Sequence, residues 1–174
     1  MTKFSSMLAA AAAGLLLIAC SPTYDWREIR GEGAGYRVML PAKPASHTRA
    51  VNLNGTQVQM TMTGAETDGV SFTVATAQLA DAAQAQQALQ AMKQAMLRNV
   101  GGSVKQDKPV EVNGASNASE LTATGGADAS GRPRLMVARF FMRDNQVFQM
   151  VVLGRENGVP QEAVDTFLSS FRPA

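Results

Sequence analysis

Residues 134–153 read RLMVARFFMR, then the turn pair DN, then QVFQMVVL. Successive side chains of a strand point to opposite faces. The apolar residues of the first run therefore fall on two faces, with Leu135, Val137 and Phe141 on one and Met136, Phe140 and Met142 on the other. The second run has the same two-faced pattern. A strand that is apolar on both faces is usually covered on both faces, so we expect this hairpin at the centre of a sheet with a layer on either side.

Turn signals upstream divide the chain into further strands. Asn54-Gly55 and Asp68-Gly69 each separate two runs in which apolar and polar residues alternate. Residues 31–35 read GEGAG and predict a hairpin turn between 26–30 and 36–40. Weaker strand patterns cover 103–112 and 116–124, and 125–133 is predicted to be a polar loop. The sequence therefore predicts a mainly antiparallel sheet built from hairpins.

In two other stretches the apolar residues recur at the spacing of an α-helix. The first opens at Asp81, with Gln84 three residues on as in a capping box, and Gly101-Gly102 marks its end. The second starts near Pro160 and is expected to stop before Pro173. Its apolar stripe consists of Val164, Phe167, Leu168 and Phe171. Strands, a helix, more strands and a terminal helix indicate an α+β fold in which both helices pack on the sheet.

Two short motifs resemble a known family. The run GYRVMLP at 35–41, followed by Pro44, resembles the Gly-aromatic-x-Val-x-x-Pro opening of PsbP-like and DcrB-type envelope domains, and Phe167 to Phe171 resembles their aromatic ending. The resemblance implies an α/β/α sandwich with one helix on each face of the sheet. It also implies an accessory or assembly role, and no ligand position of the family can be carried over to this chain.

The first nineteen residues have the three parts of a secretory signal: Lys3, an apolar stretch from Met7, and small residues before Cys20. The stretch is shorter than the roughly 20 residues that a helix needs to cross a bilayer. We therefore expect residues 1–19 to be removed as a signal peptide, 20–25 to form a short tether, and 26–174 to form one globular domain.

Leu17-Ile18-Ala19-Cys20 resembles the bacterial lipobox, which implies that fatty acyl chains are attached to Cys20 and anchor the protein in a membrane. Two or three chains, at about 0.8 kcal/mol per buried methylene, make such anchoring stable. Residue 21 is Ser rather than the Asp that resembles an inner-membrane retention signal. For a host with two membranes, we expect the outer membrane, with the domain facing the periplasm.

The charge balance argues against nucleic-acid binding. The chain has 16 basic and 14 acidic residues. Loss of Lys3 with the signal leaves 15 against 14, a net charge of +1, whereas a nucleic-acid footprint needs a clustered basic surface.

Candidates for chemistry are few. His47 is the one histidine, so a catalytic triad would have to use it, and the acidic residues are scattered along the sequence. We therefore predict no metal and no cofactor. The pairs Met60/Met62 and Met92/Met96 are predicted to fill the core rather than to bind copper.

One basic concentration remains, formed by Arg132, Arg134, Arg139 and Arg143. Arg139 falls on the strand face of Val137 and Phe141, where it needs a carboxylate or a ligand as its partner. The alternatives are a structural ion pair and an anion site. We expect a non-enzymatic envelope lipoprotein that acts as an accessory, assembly or protein-interaction module. The alternative function is a binding module for a small anionic ligand or an envelope polymer, using these four arginines.

Overall fold

The computed structural model describes residues 23–31 and 33–174. Within these residues the chain forms ten strands and two helices. Their order along the chain is β1 (Arg27–Arg30), β2 (Tyr36–Leu40), β3 (Ala45–Leu53), β4 (Thr56–Thr67), β5 (Val70–Gln78), α1 (Ala82–Val100), β6 (Gly102–Pro109), β7 (Ser116–Ala127), β8 (Pro133–Arg143), β9 (Gln146–Arg155), α2 (Gln161–Ser169) and β10 (Arg172–Pro173).

Seven strands form the main sheet, in the order β3-β4-β5-β9-β8-β7-β6. All of its neighbouring pairs are antiparallel. The predicted apolar hairpin is β8–β9, and it lies in the interior of the sheet with both faces buried. The predicted α+β class with a mainly antiparallel sheet is confirmed.

The two faces of the sheet carry separate cores. On one face, α1 contributes Ala85, Leu89 and Met92 to a cluster with Met136 and Phe140 of β8. On the other face, a second cluster combines β8 and β9 with α2 and β2. Its largest members are Tyr36, Phe72, Phe141, Phe148, Phe167 and Phe171. The helices thus lie on opposite faces, as the two-faced hairpin predicts.

Positive φ angles occur at the first residue of each predicted two-residue turn. Asn54 has a φ of 52°, and Asp68 and Asp144 each have a φ of 51°. Asn and Asp tolerate this left-handed region better than other side chains, which is why these pairs close hairpins.

Helix α1 begins and ends where the sequence indicates. The Asp81 carboxylate accepts a hydrogen bond from the Gln84 backbone N–H at 2.8 Å, and Gly101 at φ 60° terminates the helix. The reciprocal half of the predicted capping box is absent from α1, because the Gln84 carboxamide approaches the Asp81 carboxylate instead of the Asp81 backbone.

The end of the chain differs from the prediction. Helix α2 stops at Ser169, and the Ser170 hydroxyl donates to the Phe167 carbonyl at 2.7 Å. Phe171 is buried but lies beyond the helix. Pro173 then pairs with Tyr36, so that β10 joins β1 and β2 in a small second sheet over the α2 face.

At the other end, the side chains of Tyr24 and Trp26 stack on each other, with ring centroids 5.8 Å apart. Both rings meet the edge of Phe72. The fold therefore includes Tyr24, inside the segment predicted as tether. The predicted signal peptide and Cys20 lie outside the described residues. Neither described helix combines the length and the apolar character needed to span a bilayer.

Candidate functional site

Arg139 has protein partners for its guanidinium. Nε donates to Oε2 of Glu120 on β7 at 2.8 Å, and Nη1 donates to the Leu168 carbonyl in α2 at 2.8 Å. The side chains of Arg139 and Glu120 are 21% and 13% exposed. Of the two alternatives that the sequence left open, the geometry matches the ion pair, which connects β7, β8 and α2.

Glu120 lies between two cations. Its second oxygen, Oε1, is 3.2 Å from Nζ of Lys108 on the edge strand β6. Burial favours the protonated form of this carboxyl, but the hydrogen bonds and the positive charges of Arg139 and Lys108 together outweigh burial and hold the pKa of Glu120 below its ordinary value. The carboxylate therefore carries its charge at neutral pH and balances Arg139.

The other three predicted arginines lie elsewhere. Arg143 shares the α2 side with Arg139 and donates to the Gly35 carbonyl at 2.9 Å. By strand alternation Arg134 faces the α1 side, opposite Arg155, and its buried Nε has no hydrogen-bond partner among the described residues. Arg132 lies in the loop before β8. The structure does not bring the four arginines together into one site.

Asp128 organises that loop. Its carboxylate accepts hydrogen bonds from the backbone N–H groups of Ser130 at 2.8 Å and Arg132 at 3.0 Å, and from Nε of Arg155 at 3.2 Å. The hydrogen bond from the Arg132 backbone, together with that from the Ser130 backbone and the charges of Arg132 and Arg155, outweighs the opposing effect of burial and holds the pKa of Asp128 below its ordinary value. A cavity of about 260 Å³ opens beside Arg132 and Arg155. The Asp128 carboxylate pairs with both arginines and Glu156 also lines the cavity, so the two positive charges are balanced by two acidic side chains and this cavity is not a free cationic pocket.

His47 lies on β3, exposed and opposite Met62. Within the described ranges, no three His, Cys, Asp or Glu side chains are grouped closely enough to hold a metal ion.

An apolar groove lies on the α1 side of the sheet, with a cavity volume of about 330 Å³. Helix α1 lies over β7, β8 and β9 and reaches β3 near the tip of the β3–β4 hairpin. Between these contacts it leaves β4 and β5 less covered. The helix wall of the groove is formed by side chains at helical spacing, Met92, Ala95, Met96 and Asn99.

Small side chains make room for the groove. Its floor comes from β5 and β9, through Ser71, Thr73, Ala75, Gln149, Val151 and Leu153. Its outer wall comes from β3 and β4 and includes Arg49, Val51, Leu53, Met60 and Met62. At Gly64, just beyond this lining, an added Cβ would lie 2.6 Å from the Phe72 carbonyl oxygen, so β4 and β5 can pair there only without a side chain.

Two polar groups mark the groove. Arg49, on the outer wall, forms no ion pair with any described residue and is the one charged side chain in the lining. Gln149, on the floor, is only 8% exposed, and its carboxamide makes no hydrogen bond to another described side chain or backbone group. The oxygen and nitrogen of this carboxamide remain accessible from the groove, so they can hydrogen-bond to a molecule that enters it.

The two edges of the main sheet differ in their protection. Strand β6 carries Lys105, Asp107, Lys108 and Pro109, and its register shifts between Val104 and Gln106. Charges, proline and bulges of this kind prevent edge-to-edge pairing. The other edge, β3, pairs with β4 over nine residues without a shift and has Arg49 as its one lysine or arginine.

Comparison with protein-family models and with curated proteins finds no match. Among solved structures, the chain is similar to PA94 from Pseudomonas aeruginosa, a protein of unknown function described as a putative regulator. The TM-score is 0.47 at 14% identity, over 86% of this chain and 97% of that one. A protein from Bacteroides thetaiotaomicron VPI-5482 matches with a TM-score of 0.36 at 10% identity, over 86% of this chain and 42% of its own. Neither similarity is strong enough to support an inference.

Four methionines are the sequence signal for the groove, although their spacing alone predicts a different role. Met60 and Met62 share a strand face and Met92 and Met96 share a helix face, which predicted core filling. Met60 and Met92 are buried in the core, whereas Met62 and Met96 are only half-buried. All four line the groove.

Proposed function

We propose that this protein is a lipid-anchored accessory module of the bacterial envelope that works by binding another protein rather than by catalysis. The observation that carries the proposal is the unprotected edge of β3. An exposed strand edge is a template on which an extended segment of a partner can add as a further strand.

The two edges of the main sheet differ in their protection against pairing with another strand, and this difference supports the proposal. Proteins commonly blunt their sheet edges, because open edges lead to aggregation. Here the charged and irregular β6 edge is blunted, and the regular β3 edge is not. In an antiparallel pair, every second residue of an edge strand directs its backbone N–H and C=O outward. A partner strand along β3 would use these groups for its main-chain hydrogen bonds.

The position of the anchor supports an accessible β3 edge. Thr23, three residues after Cys20, lies beside α2 with Tyr24 and Pro160. Three residues reach at most about 11 Å, so lipid on Cys20 would keep the α2 side near the bilayer. The β3 edge is at the rim of the sheet and would remain open to the periplasm.

The experiment compares two lysine substitutions of exposed edge residues. Ala50→Lys places a charge on the β3 edge, and Val104→Lys places the same charge on the β6 edge. Envelope proteins cross-linked to the full chain are quantified for each variant, and deuterium exchange of the β3 amides is measured with the purified partner. We expect Ala50→Lys to reduce capture at least about tenfold, Val104→Lys to leave it unchanged, and the partner to protect alternate β3 amides.

Three results would contradict this proposal. Capture that is equal in both variants would mean that the partner binds elsewhere, and β3 amides without protection would exclude strand addition. Self-association of the purified chain through β3, measured by sedimentation, would mean that the occupant is a second copy.

The anchor has its own test. The intact mass of the chain purified from membranes should show acyl groups on Cys20 and loss of residues 1–19. Cys20→Ala should remain unacylated and leave the membrane fraction. An unmodified Cys20 in membrane-bound protein would refute lipid anchoring while leaving the β3 proposal untouched.

The alternative function is the binding of a small anionic ligand or an envelope polymer. It gains no support from the arrangement of the four arginines that would hold such a ligand, Arg132, Arg134, Arg139 and Arg143. Arg139 and Arg143 donate to groups of the protein, and Asp128 lies 3.7 Å from Arg132.

A further inference from the structure

We propose that the groove beside α1 binds an anionic amphiphile with a single acyl chain, whose chain lies on the apolar floor and whose headgroup pairs with Arg49. This inference concerns the face of the sheet and does not depend on strand addition at its edge.

Size and lining favour one flexible apolar chain. The volume of about 330 Å³ is at the small end of the range of roughly 300–1,000 Å³ for small-molecule pockets. A docked protein would need a surface of about 800 Å² per partner, with a larger open face. Methionine side chains on both walls, Met62 and Met96 among them, adapt their shape to a flexible ligand.

Charge selects the headgroup. The lining contains one cation, Arg49, and no carboxylate. Arg49 has no acidic partner among the described residues, and it lies on an edge strand where the groove meets solvent. A guanidinium in this position favours a carboxylate or a phosphate at the mouth of the groove and disfavours a cationic headgroup.

Gln149 offers a polar contact on the otherwise mainly apolar floor of the groove. Its carboxamide makes no hydrogen bond to another described residue and is accessible from the groove, three strands from Arg49 in the sheet order. At about 4.8 Å per strand, this is a separation of roughly 14 Å, which an extended acyl chain can span.

The ligand is expected to come from outside the chain. Thr23 lies beside α2, on the opposite face of the sheet from the groove. Acyl chains attached to Cys20 would have to pass around the edge of the sheet to reach Met62 or Met96. A free molecule has no such restriction.

The test uses the purified full chain in nanodiscs and a palmitate that carries a diazirine in its chain. After irradiation, cross-linked residues are mapped by mass spectrometry. We expect saturable labelling of the groove methionines and none of α2. Competition with palmitate and with lysophosphatidylglycerol distinguishes a carboxylate from a phosphate headgroup, and either result supports an anionic ligand.

Two variants narrow the groove and two change charge. Thr73→Leu fills the floor and Ala95→Phe fills the helix wall, so each should abolish labelling, with thermal unfolding to confirm that the variant folds. Arg49→Gln should weaken competition by the anionic amphiphiles about fivefold. Arg98→Gln is the matched control, because Arg98 lines the neighbouring cavity, which shares Asn52, Leu53 and Ala95 with the groove, but not the groove itself; if the headgroup pairs with Arg49, the loss of Arg98 should have a much smaller effect.

The proposal is overturned if labelling does not saturate, or if it persists in both folded groove-filling variants. It is also overturned if dodecyltrimethylammonium, a cationic amphiphile, competes as well as palmitate. Equal effects of Arg49→Gln and Arg98→Gln would remove Arg49 from the site.

Discussion

At the scale of single residues, the most connected side chain is Arg139, a cation between an apolar strand face and a helix end. Its hydrogen bonds to Glu120 and to the Leu168 carbonyl hold α2 against the sheet. Replacing a half-buried charge of this kind leaves its partners partly unsatisfied.

We predict that Arg139→Met lowers the free energy of unfolding by about 2 kcal/mol, the typical value for hydrogen bonds to charged groups. Arg143→Met is the matched control on the same strand face, where one exposed hydrogen bond to Gly35 is lost. Its effect should stay near 0.5 kcal/mol. Denaturant unfolding measures both, and equal losses would contradict the role given to Arg139.

Glu120 gives a prediction for pH. Burial would raise its pKa above the ordinary value of 4.5, but the hydrogen bonds and the positive charges of Arg139 and Lys108 together lower the pKa below that value. A lowered pKa stabilises the fold above the unfolded-state pKa, and this contribution is lost as pH falls through the folded-state pKa. The stability advantage of the wild type over Glu120→Gln should therefore be full at pH 7 and shrink below about pH 4.5. If the wild type were more stable than Glu120→Gln by the same free energy at pH 7 and pH 3, this prediction would be refuted.

The sequence could predict that Arg139 needs a partner, because alternation alone puts it beside Val137 and Phe141. It could not predict that the partner is Glu120. That pairing depends on the register of β7 against β8, which shifts between Ser116 and Ser119 and again between Gly125 and Ala127. Bulges change which residues face each other, and the local alternation of apolar and polar residues does not predict where they occur.

At the scale of elements, α1 was the most predictable part of the molecule. Its cap, its apolar stripe and its terminating glycine are all local features. The end of the chain was predicted less well, because β10 exists only through its pairing with β2, more than a hundred residues earlier. This strand consists of two residues, Arg172 and Pro173, and the local sequence does not predict a strand there.

The cap of α1 can be tested directly. Asp81→Ala removes the hydrogen bond to the Gln84 N–H and should lower the free energy of unfolding by about 1 kcal/mol. Asp81→Asn should recover most of this loss, because its side-chain oxygen can accept the same bond. If both substitutions had the same effect, charge rather than capping would explain the role of Asp81.

At the scale of the whole molecule, the sheet separates two cores that share strands but not side chains. Leu89 packs on the α1 side, and Phe148 packs on the α2 side against Tyr36, Phe141 and Phe171. The alternation within β8 and β9 allowed this two-sided arrangement to be predicted. The groove could not be predicted, since it depends on how α1 lies across the sheet.

Separate cores predict additive mutations. Phe148→Ala should cost about 3–5 kcal/mol and Leu89→Ala about 2–5 kcal/mol. Because the sheet separates the two sites, the double variant should equal the sum within about 0.5 kcal/mol. The contact pair Phe148 and Phe171 is the control, where a double substitution should depart from additivity. If the two cores were coupled, the losses of unfolding free energy for Leu89→Ala and Phe148→Ala would not be additive either.

The small sheet of β1, β2 and β10 has a mechanical consequence for a protein held at its N-terminal side. Arg27 pairs with Leu40, so the two ends of the β1–β2 hairpin nearest Thr23 are adjacent. Tension from a tether would therefore open the four pairs of this hairpin one after another, like a zipper, once the rings of Tyr24 and Trp26 had been pulled from Phe72. Elements in series carry the same tension, so the seven-stranded sheet would experience no more than the force that opens this hairpin until all four pairs had separated, and the hairpin would limit the load on the rest of the fold.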